Sequence, residues 1–223
     1  MRIRRTLAAA SLAAIALTGA AVAPAQADAT AVLTQGSAGG PAIAVGDTLV
    51  ANLASGTAAT FTDGPGSSNG VSCASSSFSA TVTSNPAAPG SATEQLNSQS
   101  FGSCTSSVFG VMSVDSVTAT SLPYTNTVTS GSGSNVSLNG TGAGPVGITV
   151  VLNTLLGQIS CVYQSPNGIS GSTSNSDNSI GFANQPANLV SGPGLCFSTG
   201  YFSATYGPVT DSSAAGNPVL WVN

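Results

Sequence analysis

After Arg5 the sequence contains no lysine, arginine or histidine. The three basic residues of this 223-residue chain lie within its first five positions, and its seven acidic residues all follow them. Any fold beyond that point has no side-chain salt bridge available, so apolar burial, strand pairing and disulfides must stabilise it. The chain also lacks the clustered cations that bind phosphate backbones or anionic lipid surfaces. We therefore expect no nucleic-acid partner.

The N-terminus has the pattern of a secretory signal peptide. A basic start is followed by an apolar run over residues 8–23, which is short for a membrane span. Ala25-Gln26-Ala27 fits the small-residue cleavage rule, and a cut after Ala29 is the close alternative. Arg4-Arg5 leaves the export route open between the general and the twin-arginine pathways. We predict that the protein is secreted and keeps no membrane contact after cleavage.

The domain organisation predicted from this pattern is simple. Residues 1–27 form the signal peptide, and residues 28–223 form one β-rich domain, since no linker composition interrupts them. About 200 residues with frequent valine and isoleucine can bury a sizeable core as a single domain. The oligomeric state stays open.

The four cysteines all follow the predicted cleavage site, and an even number in an exported chain indicates disulfides. They are Cys73, Cys104, Cys161 and Cys196. Three pairings are possible, of which the sequential one closes two loops of similar size. Each such loop would stabilise the fold by about 3–4 kcal/mol in the chain-entropy model. A zinc site is disfavoured because the sequence has no CxxC motif and no histidine.

Alternation of apolar and polar residues is the commonest pattern and is typical of half-buried strands. It appears in Phe78–Thr83, Tyr124–Val128 and Ile159–Tyr163, and the segments Tyr201–Tyr206 and Val219–Val222 are also interpreted as strands. Asn-Gly or Asp-Gly pairs separate such runs and suit tight turns: Asp63-Gly64, Asn69-Gly70, Asn139-Gly140 and Asn167-Gly168. This arrangement predicts an all-β fold, as a single antiparallel β-sandwich of Greek-key or jelly-roll type or as a partly open barrel.

The segment Val146–Leu156 is ambiguous between helix and strand. Ile148, Leu152 and Leu155 have helical spacing, but the segment is β-branched and apolar throughout. Because glycines bound it closely at both ends, we predict a buried central strand.

The whole predicted domain, from about Leu33 to Asn223, resembles a group of small secreted actinobacterial (Streptomyces-like) proteins that are labelled only by their export signal. The stretches that carry the resemblance are Asn85–Gly90, Ser121–Tyr124, Val150–Gly157 and Phe202–Val209. The group has no assigned activity, so the resemblance implies export and a shared β fold, and no site residue.

The missing bases also limit catalysis. A serine or cysteine nucleophile normally needs histidine or lysine as its base, and neither follows Arg5. Two carboxylates could meet for glycosidase or acid-protease chemistry. However, the adjacent Glu94 and Gln95 would face opposite sides of a strand. We interpret the acidic residues mainly as a solvated surface, and we expect no catalytic residue, cofactor or metal.

One segment faintly resembles a calcium loop. Residues 175, 177 and 179 offer alternate oxygen ligands. Gly181 falls one place later than such a loop requires, and the bidentate glutamate is absent. We predict a polar turn.

The aromatic residues mostly lie in alternating strands, where they are expected in the core. Tyr201, Tyr206 and Trp221 are the candidates for an exposed ligand face. The function expected from the sequence is a non-catalytic extracellular role, structural or surface-associated. The alternatives are a module that binds polysaccharide or cell wall, and a carboxylate-dependent hydrolase.

Overall fold

The computed structural model describes residues 29–131 and 135–223, so the predicted signal peptide lies outside the described residues. Neither range contains a helix long and apolar enough to cross a membrane. Together they form the strands β1 Leu33–Gln35, β2 Thr48–Asn52, β3 Ala59–Thr62, β4 Gly70–Ser84, β5 Ser91–Ser106, β6 Val111–Thr120, β7 Tyr124–Thr129, β8 Val136–Asn139, β9 Val146–Thr154, β10 Gly157–Ser165, β11 Ile169–Ser174, β12 Ser179–Ser191, β13 Thr199–Tyr206, β14 Thr210–Asp211 and β15 Leu220–Val222.

Eight of these strands close into an antiparallel barrel in the order β11-β8-β7-β5-β4-β3-β13-β12. Closure comes from the β11–β12 hairpin, in which Ser172 pairs with Gly181. The all-β prediction is confirmed. The predicted sandwich is wrong as the description of this fold, because the sheet returns to itself instead of splitting into two facing sheets. The alternative of a partly open barrel was nearer to the structure.

The remaining strands extend the barrel. Three antiparallel strands, in the spatial order β10, β9, β6, continue the sheet from the second half of β12, where Val162 pairs with Ser191. Strand β2 pairs with the second half of β4 and with β14, and β1 pairs with β15 in a separate two-stranded sheet. The long strands β4 and β12 thus each change partner along their length, which joins the barrel to its extensions.

Both disulfides follow the sequential pairing. Cys73 on β4 bonds Cys104, which lies directly opposite it on β5. Cys161 on β10 bonds Cys196 in the β12–β13 connection. All four cysteines are therefore paired; the first bridge joins two neighbouring strands, and the second joins a strand to a connection.

The segment Val146–Leu156 is a strand, as predicted. Strand β9 lies between β6 and β10, with Val150 and Leu152 buried. The prediction was wrong at the end of the segment, where Leu155 and Leu156 are exposed in a two-residue turn. The turn forms there because Gly157 adopts the positive φ of 115°, which favours glycine.

Candidate ligand-binding site

A cavity of about 100 Å³ lies within the barrel. Each of the eight barrel strands contributes at least one residue to its wall, and β6, β9 and β10 complete the wall on one side. A barrel of eight strands has an interior that side chains just fill or that holds one small ligand. This cavity is thus a property of the closed sheet.

The wall is mainly apolar and aromatic. Alternation along the strands turns apolar residues inward, and five phenylalanines line the cavity: Phe61, Phe78, Phe101, Phe182 and Phe202. Their rings meet neighbouring rings edge-on or tilted, as Phe78 does with Tyr206 at a centroid distance of 5.4 Å. The prediction that most aromatic residues lie in the core agrees with this placement.

Glu94 is the single carboxylic acid among the residues that line this cavity. It lies on β5 directly opposite Asn126 on β7, and both side chains are buried, with exposed fractions of 4% and 6%. Asn126 Nδ2 donates a hydrogen bond of 2.9 Å to Glu94 Oε2. Asn126 Oδ1 is also buried, but it accepts no hydrogen bond from any described residue. The pair therefore presents more acceptors than donors.

The protonation of Glu94 follows from this environment. Burial raises the pKa of its carboxyl from 4.5 to about 7, and the Asn126 hydrogen bond only partly opposes that change. No basic side chain follows Arg5, so no cation within the described fold neutralises the carboxylate. Near neutral pH the carboxyl exchanges between charged and neutral forms.

A second polar group in the cavity has its amide nitrogen satisfied. Gln99 Nε2 donates to Ser76 Oγ at 2.8 Å and to the Tyr206 hydroxyl at 2.9 Å. Ser76 Oγ donates its single proton to the Ser100 carbonyl at 2.6 Å, so the Tyr206 hydroxyl donates to Ser76 Oγ. Burial raises the pKa of Tyr206 to about 12, so its hydroxyl stays neutral. Among the described residues that line the cavity, only Asn126 has a fully buried polar side-chain atom without a hydrogen-bond partner.

The predicted ligand-face residues do not come together. Tyr206 is only 2% exposed and points into the barrel. Tyr201 is half-buried on the same strand, β13, but at odd spacing from Tyr206, so the two face opposite sides of the sheet. Trp221 is half-buried on β15 in the other sheet. The prediction that Tyr206 belongs to an exposed cluster was therefore wrong.

The interpretation of the acidic residues as solvated surface was wrong for Glu94 and also for Asp211, which is completely buried on β14. Asp211 does not line the barrel cavity; its Oδ1 accepts a hydrogen bond from the Ser213 backbone N–H at 2.9 Å.

Residues 175–178 form the predicted polar turn, between β11 and β12. Among the described residues, no three of His, Cys, Asp and Glu are grouped to hold a metal ion.

Sequence reasoning missed Glu94 as a site residue, although a usable pattern was present. Ala92, Glu94 and Leu96 alternate with Thr93 and Gln95, which places the carboxyl on the inward side of a strand. The structure buries all three inward residues and exposes Gln95. Comparison with known proteins finds no matching protein-family model, curated protein or solved structure.

Proposed function

We propose that this chain is a secreted, non-catalytic binding protein that holds one small molecule inside its barrel. The observation that carries the proposal is the cavity itself, to which all eight barrel strands contribute. Small-molecule sites are typically concave and mostly apolar, with a few convergent polar groups that fix orientation. Glu94 and Asn126 supply such groups, and a barrel with a purely structural role would not require them.

Secretion is supported by two observations. The N-terminal sequence has the pattern of a signal peptide, and the two disulfides indicate an oxidising environment of the extracellular type. The resemblance to small secreted actinobacterial proteins belongs to the same proposal.

The non-catalytic part of the proposal rests on the composition of the cavity wall. A carboxylate hydrolase needs two carboxyl groups roughly 5–10 Å apart, and Glu94 is the one carboxylic acid that lines this cavity. A polysaccharide-binding face needs exposed aromatic platforms, and the burial of Tyr206 removes a central member of the predicted one. No observation on the described residues supports a hydrolase or a polysaccharide-binding face as strongly as the cavity supports the binding of a small molecule.

A thermal-shift experiment tests the proposal with isobutanol as the probe. We expect isobutanol to raise the Tm of the wild-type protein, because a ligand that binds only the folded state stabilises it. Ala80→Phe fills the cavity, since Ala80 lines it and is buried, and should abolish the shift. Ala74→Phe is the matched control, because Ala74 is exposed on the same strand.

A second cavity variant keeps the experiment decisive if Ala80→Phe folds poorly. Ala119→Phe places a second bulky group in the cavity wall from β6, and circular dichroism identifies the variants that keep the native sheet. An equal Tm rise in wild type and in both folded cavity variants would contradict the proposal. So would the absence of any rise in the wild type at saturating probe.

A further inference from the structure

The Glu94–Asn126 pair has an excess of hydrogen-bond acceptors. A carboxylate accepts at both oxygens and donates nothing, and the amide of Asn126 adds one further acceptor. The pair's own bond uses only Nδ2 of Asn126 and Oε2 of Glu94. Asn126 Oδ1 is buried without a donor, and no described residue donates to Glu94 Oε1. A fully buried acceptor such as Asn126 Oδ1 is costly unless a donor reaches it. The complement of this pair is a group with several donors.

The described residues include no basic side chain. Lysine, arginine and histidine are absent after Arg5, and a buried carboxylate is strongly disfavoured without an opposite charge. A positively charged ligand would supply that charge. The acidic surface also attracts cations over distance, because no basic side chain offsets it.

The wall around Glu94 favours an organic cation over a metal ion. Hard metal ions take six or more oxygen ligands and favour carboxylates, whereas Glu94 is the single carboxyl group among the residues that line this cavity, and five phenylalanine rings share its wall. An ammonium head has three N–H donors, which match the free acceptors of the pair. The faces of aromatic rings attract such a head and pack against an apolar body.

The cavity volume limits the size of this ligand. An apolar protein cavity of about 150 Å³ holds benzene, which has six non-hydrogen atoms. A cavity of about 100 Å³ therefore suits a molecule of four or five non-hydrogen atoms.

From these observations we infer that the ligand is a small primary ammonium ion, with its charged head against Glu94 and Asn126 and its apolar body among the phenylalanine rings. This inference rests on the proposed function, because it names the class of ligand that the barrel cavity takes.

Three probes with the same branched four-carbon skeleton test it by calorimetric titration of the intact, disulfide-bonded protein at pH 8. They are isobutylammonium, isobutanol and isobutyrate, which end in a cation, a neutral group and an anion; isobutyrate has one more non-hydrogen atom than the other two. We expect isobutylammonium to bind at least about tenfold more tightly than isobutanol, because a charge-assisted hydrogen bond is stronger than a neutral one. Isobutyrate should bind least, because its carboxylate and that of Glu94 repel each other.

Two variants identify the group responsible. Glu94→Gln keeps the shape of the side chain and removes its charge, so it should abolish the preference for the ammonium probe. Asp115→Asn removes one exposed charge from β6 and should leave the preference unchanged. A loss of equal size in Asp115→Asn would instead assign the effect to the overall surface charge and overturn the inference.

The pH dependence gives a readout that does not depend on any variant. The ammonium preference should increase from pH 5 to pH 8 as Glu94 ionises. The other titratable residues that line the cavities touching Glu94 are Tyr124 and Tyr206. Burial raises the pKa of both, so they stay neutral over this range. A preference that did not change with pH would count against Glu94 as the partner.

The outcomes separate the two proposals. If isobutanol binds but the ammonium probe binds no better, the cavity takes a neutral ligand and only this inference is overturned. If no probe binds and none raises the Tm, both this inference and the proposed function are overturned.

Discussion

Glu94→Gln should change how stability depends on pH. In the wild type, burial raises the pKa of Glu94 from 4.5 to about 7. Between these two values the folded state binds more protons than the unfolded state does. The free energy of unfolding therefore decreases as pH rises from 4.5 to 7 and levels off above that range. The difference between the two pKa values corresponds to about 3 kcal/mol.

The variant has no titrating group at this position, so the decrease should be absent. Its amide can also donate a hydrogen bond to Asn126 Oδ1, the buried acceptor that lacks a partner. At pH 4.5 the two proteins should have similar stability. At pH 8 Glu94→Gln should be more stable than wild type by up to about 3 kcal/mol.

Urea unfolding at half-unit steps between pH 4.5 and pH 8 measures this difference directly. The window is favourable because the chain has no histidine. In addition, side-chain hydrogen bonds lower the pKa values of the exposed Asp63 and Asp177, which places their titration below the window. Asp115→Asn serves as the charge-matched surface control. A wild-type profile that is flat from pH 4.5 to 7, or the same decrease in Glu94→Gln, would refute the reasoning.

Three further substitutions test the packing and the covalent links by urea or thermal unfolding. Gly200→Ala should destabilise the fold by about 1–3 kcal/mol, because the added Cβ would overlap the ring of Phe61; Gly142→Ala, which meets nothing nearby, should have little effect. Tyr206→Phe should cost about 1–2 kcal/mol through the lost hydrogen bonds of its hydroxyl, and a cost near zero would contradict the bonded network. Replacing both members of the Cys73–Cys104 bridge by alanine should cost about 3–4 kcal/mol, since it frees a loop with a sequence separation of 31; an unchanged urea midpoint would oppose this.

Local patterns in the sequence were sufficient to predict several of the strands. Phe78–Thr83 lies within β4, Tyr124–Val128 within β7 and Ile159–Tyr163 within β10. Period-two alternation identifies these strands because one face of each packs inward while the other contacts solvent. The Asn167-Gly168 pair supplies the turn between β10 and β11, where Gly168 has a φ of 72°.

Closure of the barrel could not be predicted in the same way. A half-buried strand has the same alternation in a sandwich as in a barrel, so the pattern does not identify its partners. The partners are set by contacts between distant segments, such as β3 with β13, where Phe61 pairs with Phe202. The partner changes along β4 and β12 likewise depend on the assembled sheet.

The candidate site could be predicted from the sequence only in part. Alternation placed Asn126 inward between Tyr124 and Val128, and the same rule places Glu94 inward. Composition favoured a solvated carboxylate instead, because exposed acids are far commoner than buried ones. Pairing of β5 with β7 is what brings Glu94 to Asn126 across 32 residues of chain.

The most direct test of a buried, ligand-binding Glu94 is the titration of its side-chain carboxyl carbon by NMR, with and without saturating isobutylammonium. Without the probe we predict a midpoint of about 7. With it, the midpoint should fall by about one unit or more, because a bound cation favours the carboxylate. A midpoint near 4.5 that the probe leaves unchanged would contradict both the burial of this carboxyl and its role in binding.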